Sequence, residues 1–196
     1  KMEYFIGQAA AEGLSQEKLD GLRAEIAIDK ADVAYNKMDS ATALPLLQQA
    51  VKMRGFCLKL GCMHGGLRNY ARAVYETEMA AGRNPYDSQE YAQIISAIIE
   101  EKSLYPEDKG FYLGHRGHLL RSVALAKQDK NSAMAAWADF EKGMTLKDAF
   151  STFTVASTYC EGYPGFVERD EGKCKDLMVD AARYGSPLAA DVLRNR

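Results

Sequence analysis

Histidine and cysteine are scarce in this chain: three and four, respectively, in 196 residues. So few histidines leave little material for a Ser-His or Cys-His catalytic set. Four cysteines (Cys57, Cys62, Cys160 and Cys174) are too few, at this length, for a small fold stapled by disulfides. β-Branched aliphatics are thin as well, with 8 Val and 7 Ile against 28 Ala and 18 Leu. Ala and Leu lose little freedom in a helix, whereas β-branched side chains crowd the preceding turn. No stretch alternates apolar and polar residues between hairpin turns, so no sheet is expected. No apolar run approaches the roughly 18–20 residues of a membrane span, so membrane insertion is not expected. An excess of one charge is also missing: 25 Lys and Arg stand against 27 Asp and Glu, a net charge of -2. That balance removes the electrostatic case for nucleic acid or an anionic membrane as partner.

What is present reads as an ordinary globular chain, 47% hydrophobic and 27% charged. Helix signals run through it in bursts. Residues 2–12 stop at Gly13. Residues 16–38 carry Leu19, Leu22, Ile26, Val33 and Ala34 at helical spacing, with a break near Asp29. Ser40 and Thr42 can cap a helix that runs to Gly55, with Pro45 tolerable in its first turn. Short helices follow over 56–64 and 68–81. Asp87 and Ser88 start a helix carrying Ile94, Ile95, Ile98 and Ile99. Residues 115–128, 131–142 and 146–161 read as three more. Ser186-Pro187 is a cap followed by proline at the first helical position. About ten helices joined by short Gly-punctuated turns predict an all-α superhelix of stacked antiparallel hairpins, in one domain over 1–196. Lys1 in place of Met is expected of a fragment or of a chain whose leader has been removed.

A motif of paired alanines followed by glycine recurs. Ala9-Ala10 precedes Gly13, Ala181-Ala182 precedes Gly185, and Ala80-Ala81 precedes Gly82. Small residues let helix axes approach, and glycine at a helix end takes the left-handed conformation without a Cβ clash. The clearest stretch is 154–193, with Ala156, Tyr159, Gly162, Gly165, Val167, Asp170, Lys173, Leu177, Ala181-Ala182, Gly185, Ala189 and Leu193. This segment resembles the Sel1-like repeat, a relative of the tetratricopeptide repeat. It departs from the family pattern at Ala156-Ser157, where Leu-Gly is usual, at Cys174, which replaces an Ala, and at Phe166, an extra residue. Residues 1–13 look like the remnant of another repeat. The resemblance is weak through 40–82 and nearly absent through 84–145.

The resemblance implies a hairpin with Cys160 on its first helix and Cys174 on its second, a topology that brings them within disulfide reach. The alternative is two small packing residues. It further implies a protein-binding module with no catalytic activity and no cofactor. A bacterial and often exported source, periplasmic for example, is the commoner case, with a cytoplasmic one still open. Sel1-like proteins include immunity partners of secreted toxins, such as type VI secretion effectors. Immunity is the specific expectation. A scaffold or adaptor of an envelope or signalling complex is the alternative.

A competing enzyme reading starts from His115 and His118. Two histidines three apart share a helix face and can hold a metal with a third ligand. The other reading is a surface pair flanking Arg116, with Gly114 and Gly117 making a turn. Gly110, Gly114 and Gly117 lack phosphate-binding spacing, and no Gly-x-Ser-x-Gly elbow occurs. Cys57 and Cys62, five apart, lie about 140° round a helix and read as packing residues. Residues 84–118 break the repeat and gather aromatics. Tyr86, Tyr105, Tyr112 and Arg116 are therefore the candidate contacts for a protein partner, since interface energy concentrates in Tyr, Trp and Arg. Core filling by the same tyrosines is the alternative.

Overall fold

A computed structural model of the chain describes residues 2–53, 64–100, 104–163 and 166–195. Cys57, Cys62 and Gly165 lie outside these, as does nearly all of the helix expected over 56–64. The described residues are all-α. They contain no strand, only an isolated bridge between Tyr163 and Val167. No described helix is long and apolar enough to cross a membrane. The chain divides into two compact units, 1–101 and 102–196.

The first unit holds α1 (Met2–Ala11), α2 (Gln16–Asn36), α3 (Ser40–Met53), α4 (His64–Ala80), a 3-10 turn (Pro85–Asp87) and α5 (Gln89–Glu100). Its core is Ala24, Leu47, Leu67, Val74, Ile94 and Ile98, all fully buried. Polar contacts join the helices around that core. Asn69 donates to Asp32 at 2.6 Å, tying α4 to α2, and Gln48 donates to Glu90 at 3.0 Å, tying α3 to α5. Tyr70 donates its hydroxyl to the same Glu90 carboxylate. Helix α2 is unbroken at Asp29, which faces solvent and costs the helix little. Pro45 sits in the second turn of α3 rather than the first.

The second unit holds α6 (Pro106–Lys127), α7 (Lys130–Thr145), α8 (Ala149–Glu161), α9 (Glu171–Arg183) and α10 (Pro187–Arg194). Its short links share one construction, which also joins α2 to α3. A residue with positive φ ends one helix: Met38 (57°), Gln128 (52°), Lys147 (61°) or Gly185 (101°). The next residue donates its backbone N–H to a carbonyl five back, as Asp129 does to Ala124 at 3.1 Å and Ser186 to Ala181 at 2.9 Å. That same residue then caps the following helix. Asp39 accepts from the Thr42 N–H at 3.0 Å, Asp129 from Asn131 at 3.0 Å, Asp148 from Ser151 at 2.6 Å and Ser186 from Ala189 at 3.2 Å. One residue thus satisfies orphan groups of two helices at once. A link this short forces the second helix back along the first. The recurrent Ala-Ala-Gly motif is the glycine form of the same ending, with Gly13, Gly82 and Gly185 all at positive φ.

Helix α6 begins at Pro106, well before the position 115 read from sequence, so Gly110, Gly114 and Gly117 lie inside the helix and make no turn. They face the neighbouring helices too closely for a side chain. A Cβ on Gly117 would stand 2.5 Å from the Phe140 ring, one on Gly114 would meet Ser151 Oγ at 2.7 Å, and one on Gly110 would meet Asp148 Cβ at 2.8 Å. Gly143 of α7 belongs to the same seam, where a Cβ would meet Ser151 Cβ at 2.7 Å and the Gly110 carbonyl oxygen at 3.0 Å. Across the seam Ser151 donates to that Gly110 carbonyl at 3.3 Å. Arg116 of α6 forks onto Asp139 of α7 with two bonds of 2.7 Å. Glycine inside a helix normally costs about 0.8–1 kcal/mol relative to alanine. Here the cost is offset by the packing that the missing Cβ allows.

The seam reverses the usual sign of a substitution. Gly143→Ala is expected to lower the unfolding free energy by about 1–3 kcal/mol through overpacking. Gly7→Ala, in α1 with nothing within 4 Å of the new Cβ, is expected to raise it by up to about 1 kcal/mol. Urea unfolding of the two variants checks this, and a stabilised Gly143→Ala protein would contradict the packing described.

Candidate functional site

The described residues of the link between α8 and α9 are tied both to each other and to the two helices. Gly162 ends α8 at φ 75°, with its N–H on the Thr158 carbonyl at 2.8 Å. Tyr163 and Val167 exchange backbone bonds of 2.7 and 2.9 Å, and Asp170 donates to the Tyr159 carbonyl at 2.9 Å before capping α9 through the Lys173 N–H. The base of the loop is closed covalently. Cys160 and Cys174 form a disulfide, with Cα atoms 4.9 Å apart and a sequence separation of 14. Closing a loop of that size contributes roughly 3 kcal/mol by the chain-entropy argument.

This loop sets Phe166 and Tyr163 beside the chain's single tryptophan, Trp137 of α7. Trp137 meets Tyr159 edge-on at 5.9 Å between ring centroids and Phe166 at 6.3 Å, and Tyr163 meets Phe166 at 5.8 Å. The Lys173 ammonium lies over the Tyr159 ring, 4.9 Å from its centroid. Two concavities open on this cluster. One, of about 300 Å³, is bordered by Trp137, Tyr159, Phe166, Arg169, Asp170 and Lys173. The other is a narrow slot between Ala133, Ala136, Trp137, Phe140, Tyr163 and Phe166, with Arg121 and Thr158 at its edge. Sequence reading singled out neither Trp137 nor Phe166 as a contact. The available signal was the insertion of Phe166 into the repeat pattern and the pair of cysteines that brackets it.

The four candidate contacts from the sequence fall in different surroundings. Tyr86 belongs to the first unit, in the 3-10 turn. It is half-buried against Tyr75 (6.0 Å) and Tyr91 (6.2 Å), and burial pushes its hydroxyl pKa well up. Tyr112 is only 9% exposed, so it packs inside the second unit. Arg116 spends its guanidinium on Asp139, which is 7% exposed. Tyr105, at the N-cap of α6, is 70% exposed. The structure thus leaves Tyr105 on the surface, places Tyr112 in the core, and does not gather the four into one patch within either unit.

His115 and His118 lie in the middle of α6 with no turn beside them. His115 is 8% exposed, with Phe111 at 4.4 Å and Phe150 at 5.3 Å. His118 packs on Phe150 at 4.9 Å and Phe140 at 5.0 Å, with Thr154 Oγ1 3.4 Å from its Nε2. Burial pulls His115 down to about 4, and the neighbouring His118 adds to this. His118 is likewise pulled to about 4 by burial, with a contribution from Arg121. Both rings are therefore neutral at pH 7. Among the described residues no group of three or more His, Cys, Asp or Glu is placed to hold a metal ion. Set against protein-family models, curated proteins and solved structures, the chain matches none.

The buried histidines predict a pH dependence. Their folded pKa values of about 4 lie below the ordinary 6.5, so the unfolded chain takes up protons first as pH falls. Stability is full above 6.5, declines through 6.5 to 4, and receives no further loss from these groups below 4. The loss by pH 5 is on the order of 2 kcal/mol for each histidine. Melting temperature measured from pH 7 to 5 should fall less steeply in the His115→Gln, His118→Gln double variant than in the parent. Parallel curves would contradict the neutral, ring-packed histidines.

Proposed function

We propose that this chain is a non-catalytic protein-interaction module of stacked helical hairpins, similar to Sel1-like repeats, and that it serves as an immunity protein binding a cognate secreted toxin. The observation that carries the reading is the aromatic cluster of Trp137, Tyr159 and Phe166, open to solvent at two concavities and bracketed by the Cys160–Cys174 disulfide. Pre-ordered aromatic side chains offer large contact area at low entropic cost, the usual make-up of a protein-binding hot spot. The repeat resemblance over 154–193 covers the last eight residues of α8, all of α9 and most of α10. The positive-φ residues that end α7 and α9, Lys147 and Gly185, are 38 residues apart, a spacing of two helices, and Gln128 and Lys147 are 19 apart, a spacing of one. A disulfide between Cys160 and Cys174 supports an oxidising compartment, in keeping with an exported protein. His115 and His118 are packed among aromatic rings, which weighs against the metal-enzyme alternative. Exposed Tyr105 is kept as a secondary contact.

The test is affinity capture with the oxidised chain as bait, followed by reconstitution with the retained protein. The expected result is a stoichiometric complex on gel filtration that abolishes the toxicity of the captured protein. Phe166→Ala, at unchanged helix content, should weaken the complex by about 1–3 kcal/mol. A captured partner that is not toxic, or a metal-stimulated turnover by the chain alone, would overturn the immunity reading.

A further inference from the structure

Arg121 differs from most other described arginines of the chain. Seven others, Arg116 and Arg169 among them, hold a carboxylate within ion-pair distance. Among the described residues none does so for Arg121, although it is exposed and borders the narrow slot beside Trp137. The Arg121 charge is felt by His118, a neutral ring that offers it no counter-charge. The slot is walled by Ala133 and Ala136 on α7, by Phe140, and by Tyr163 and Phe166 on the disulfide-closed loop. The two alanines leave room where larger side chains on α7 would fill it. An apolar cleft with one unspent guanidinium at its rim is complementary to an apolar side chain next to a carboxylate. Arg is the cation suited to this because its planar fork bonds a carboxylate at two points.

We infer that the slot between α7 and the side chains of Tyr163 and Phe166 is a recognition site for an acidic segment of a partner protein, which seats one apolar side chain against Trp137 and Phe166 and pairs a flanking carboxylate with Arg121. This rests on the interaction reading above and names the chemistry of the partner's contact. The Cys160–Cys174 bond is part of the site, because it holds the loop that forms one wall.

Trp137 is the only tryptophan and borders both concavities, so its indole N–H resonance and its fluorescence report binding at this cluster, and the Arg121 variants assign that binding to the slot. The probe is acetyl-Glu-Phe-Glu-amide, titrated into the oxidised chain. Acetyl-Glu-Ala-Glu-amide and acetyl-Lys-Phe-Lys-amide serve as controls for the apolar and the acidic element. The expected result is a saturable shift of the Trp137 signal with the first peptide, and affinity lower by about tenfold, or undetectable, with each control. Arg121→Gln, an exposed substitution checked for unchanged melting temperature, should weaken the first peptide by about 5–10-fold, and Arg121→Lys should recover part of the loss. No saturable shift, equal binding of the three peptides, or Arg121→Gln binding like the parent would each overturn the site. A protein partner captured equally well by the parent and by Arg121→Gln would refute this site and leave the interaction reading standing.

Discussion

The close approach of α6 to α7 and α8, at positions where only glycine fits, is the constraint on which the second unit depends. Gly117 lets the Phe140 ring lie against the α6 backbone, and Phe140 in turn lines the slot beside Trp137. Gly110, Gly114 and Gly143 bring Ser151 and Asp148 against α6, which fixes where α8 begins and so where its far end delivers Cys160. The same approach buries Asp139, His115 and Thr152. Asp139 tolerates burial because Arg116 meets it at two points, and the histidines tolerate it by remaining neutral among aromatic rings. A seam of this kind carries no chemistry itself. It places the rings and the loop that do face solvent.

The all-α class and most helix spans were legible in the sequence because Ala and Leu dominate and sheet-forming patterns are missing. The Ser186-Pro187 start and the glycine endings at 13, 82 and 185 were legible for a local reason: cap and terminator act within a few residues. The start of α6 was not, because Gly110, Gly114 and Gly117 look like helix breakers until their long-range contacts are known. Asp39, Asp129 and Asp148 were also missed as caps, since each follows a non-glycine residue in the left-handed region, a conformation that Met38, Gln128 and Lys147 do not advertise. Of the candidate contacts, composition could gather Tyr86, Tyr105, Tyr112 and Arg116 into one segment of sequence. It could not tell the surface Tyr105 from the buried Tyr112, because that depends on which helix face meets α6's neighbours.

The disulfide links the fold to the proposed function. Removing it would leave the helices their own backbone bonds and caps, while Tyr163, Phe166, Val167 and Asp170 would be held by backbone bonds and ring contacts without the covalent tie at the base. A binding wall that is ordered before the partner arrives costs less to use than one ordered on contact. The aromatic cluster is therefore best understood as surface held ready, with the seam fixing one side and the covalent closure the other.

The most direct measurement of the central claim is a double-mutant cycle between Gly117 and Phe140. Gly117→Ala alone drives a Cβ into the Phe140 ring, and Phe140→Leu alone removes buried ring area. If the helices are held as close as described, the smaller side chain makes room for the new methyl group, and the double variant is more stable than the two single losses imply by about 1 kcal/mol or more. Strict additivity of the two substitutions would contradict the close approach, and with it the account of how the slot is built.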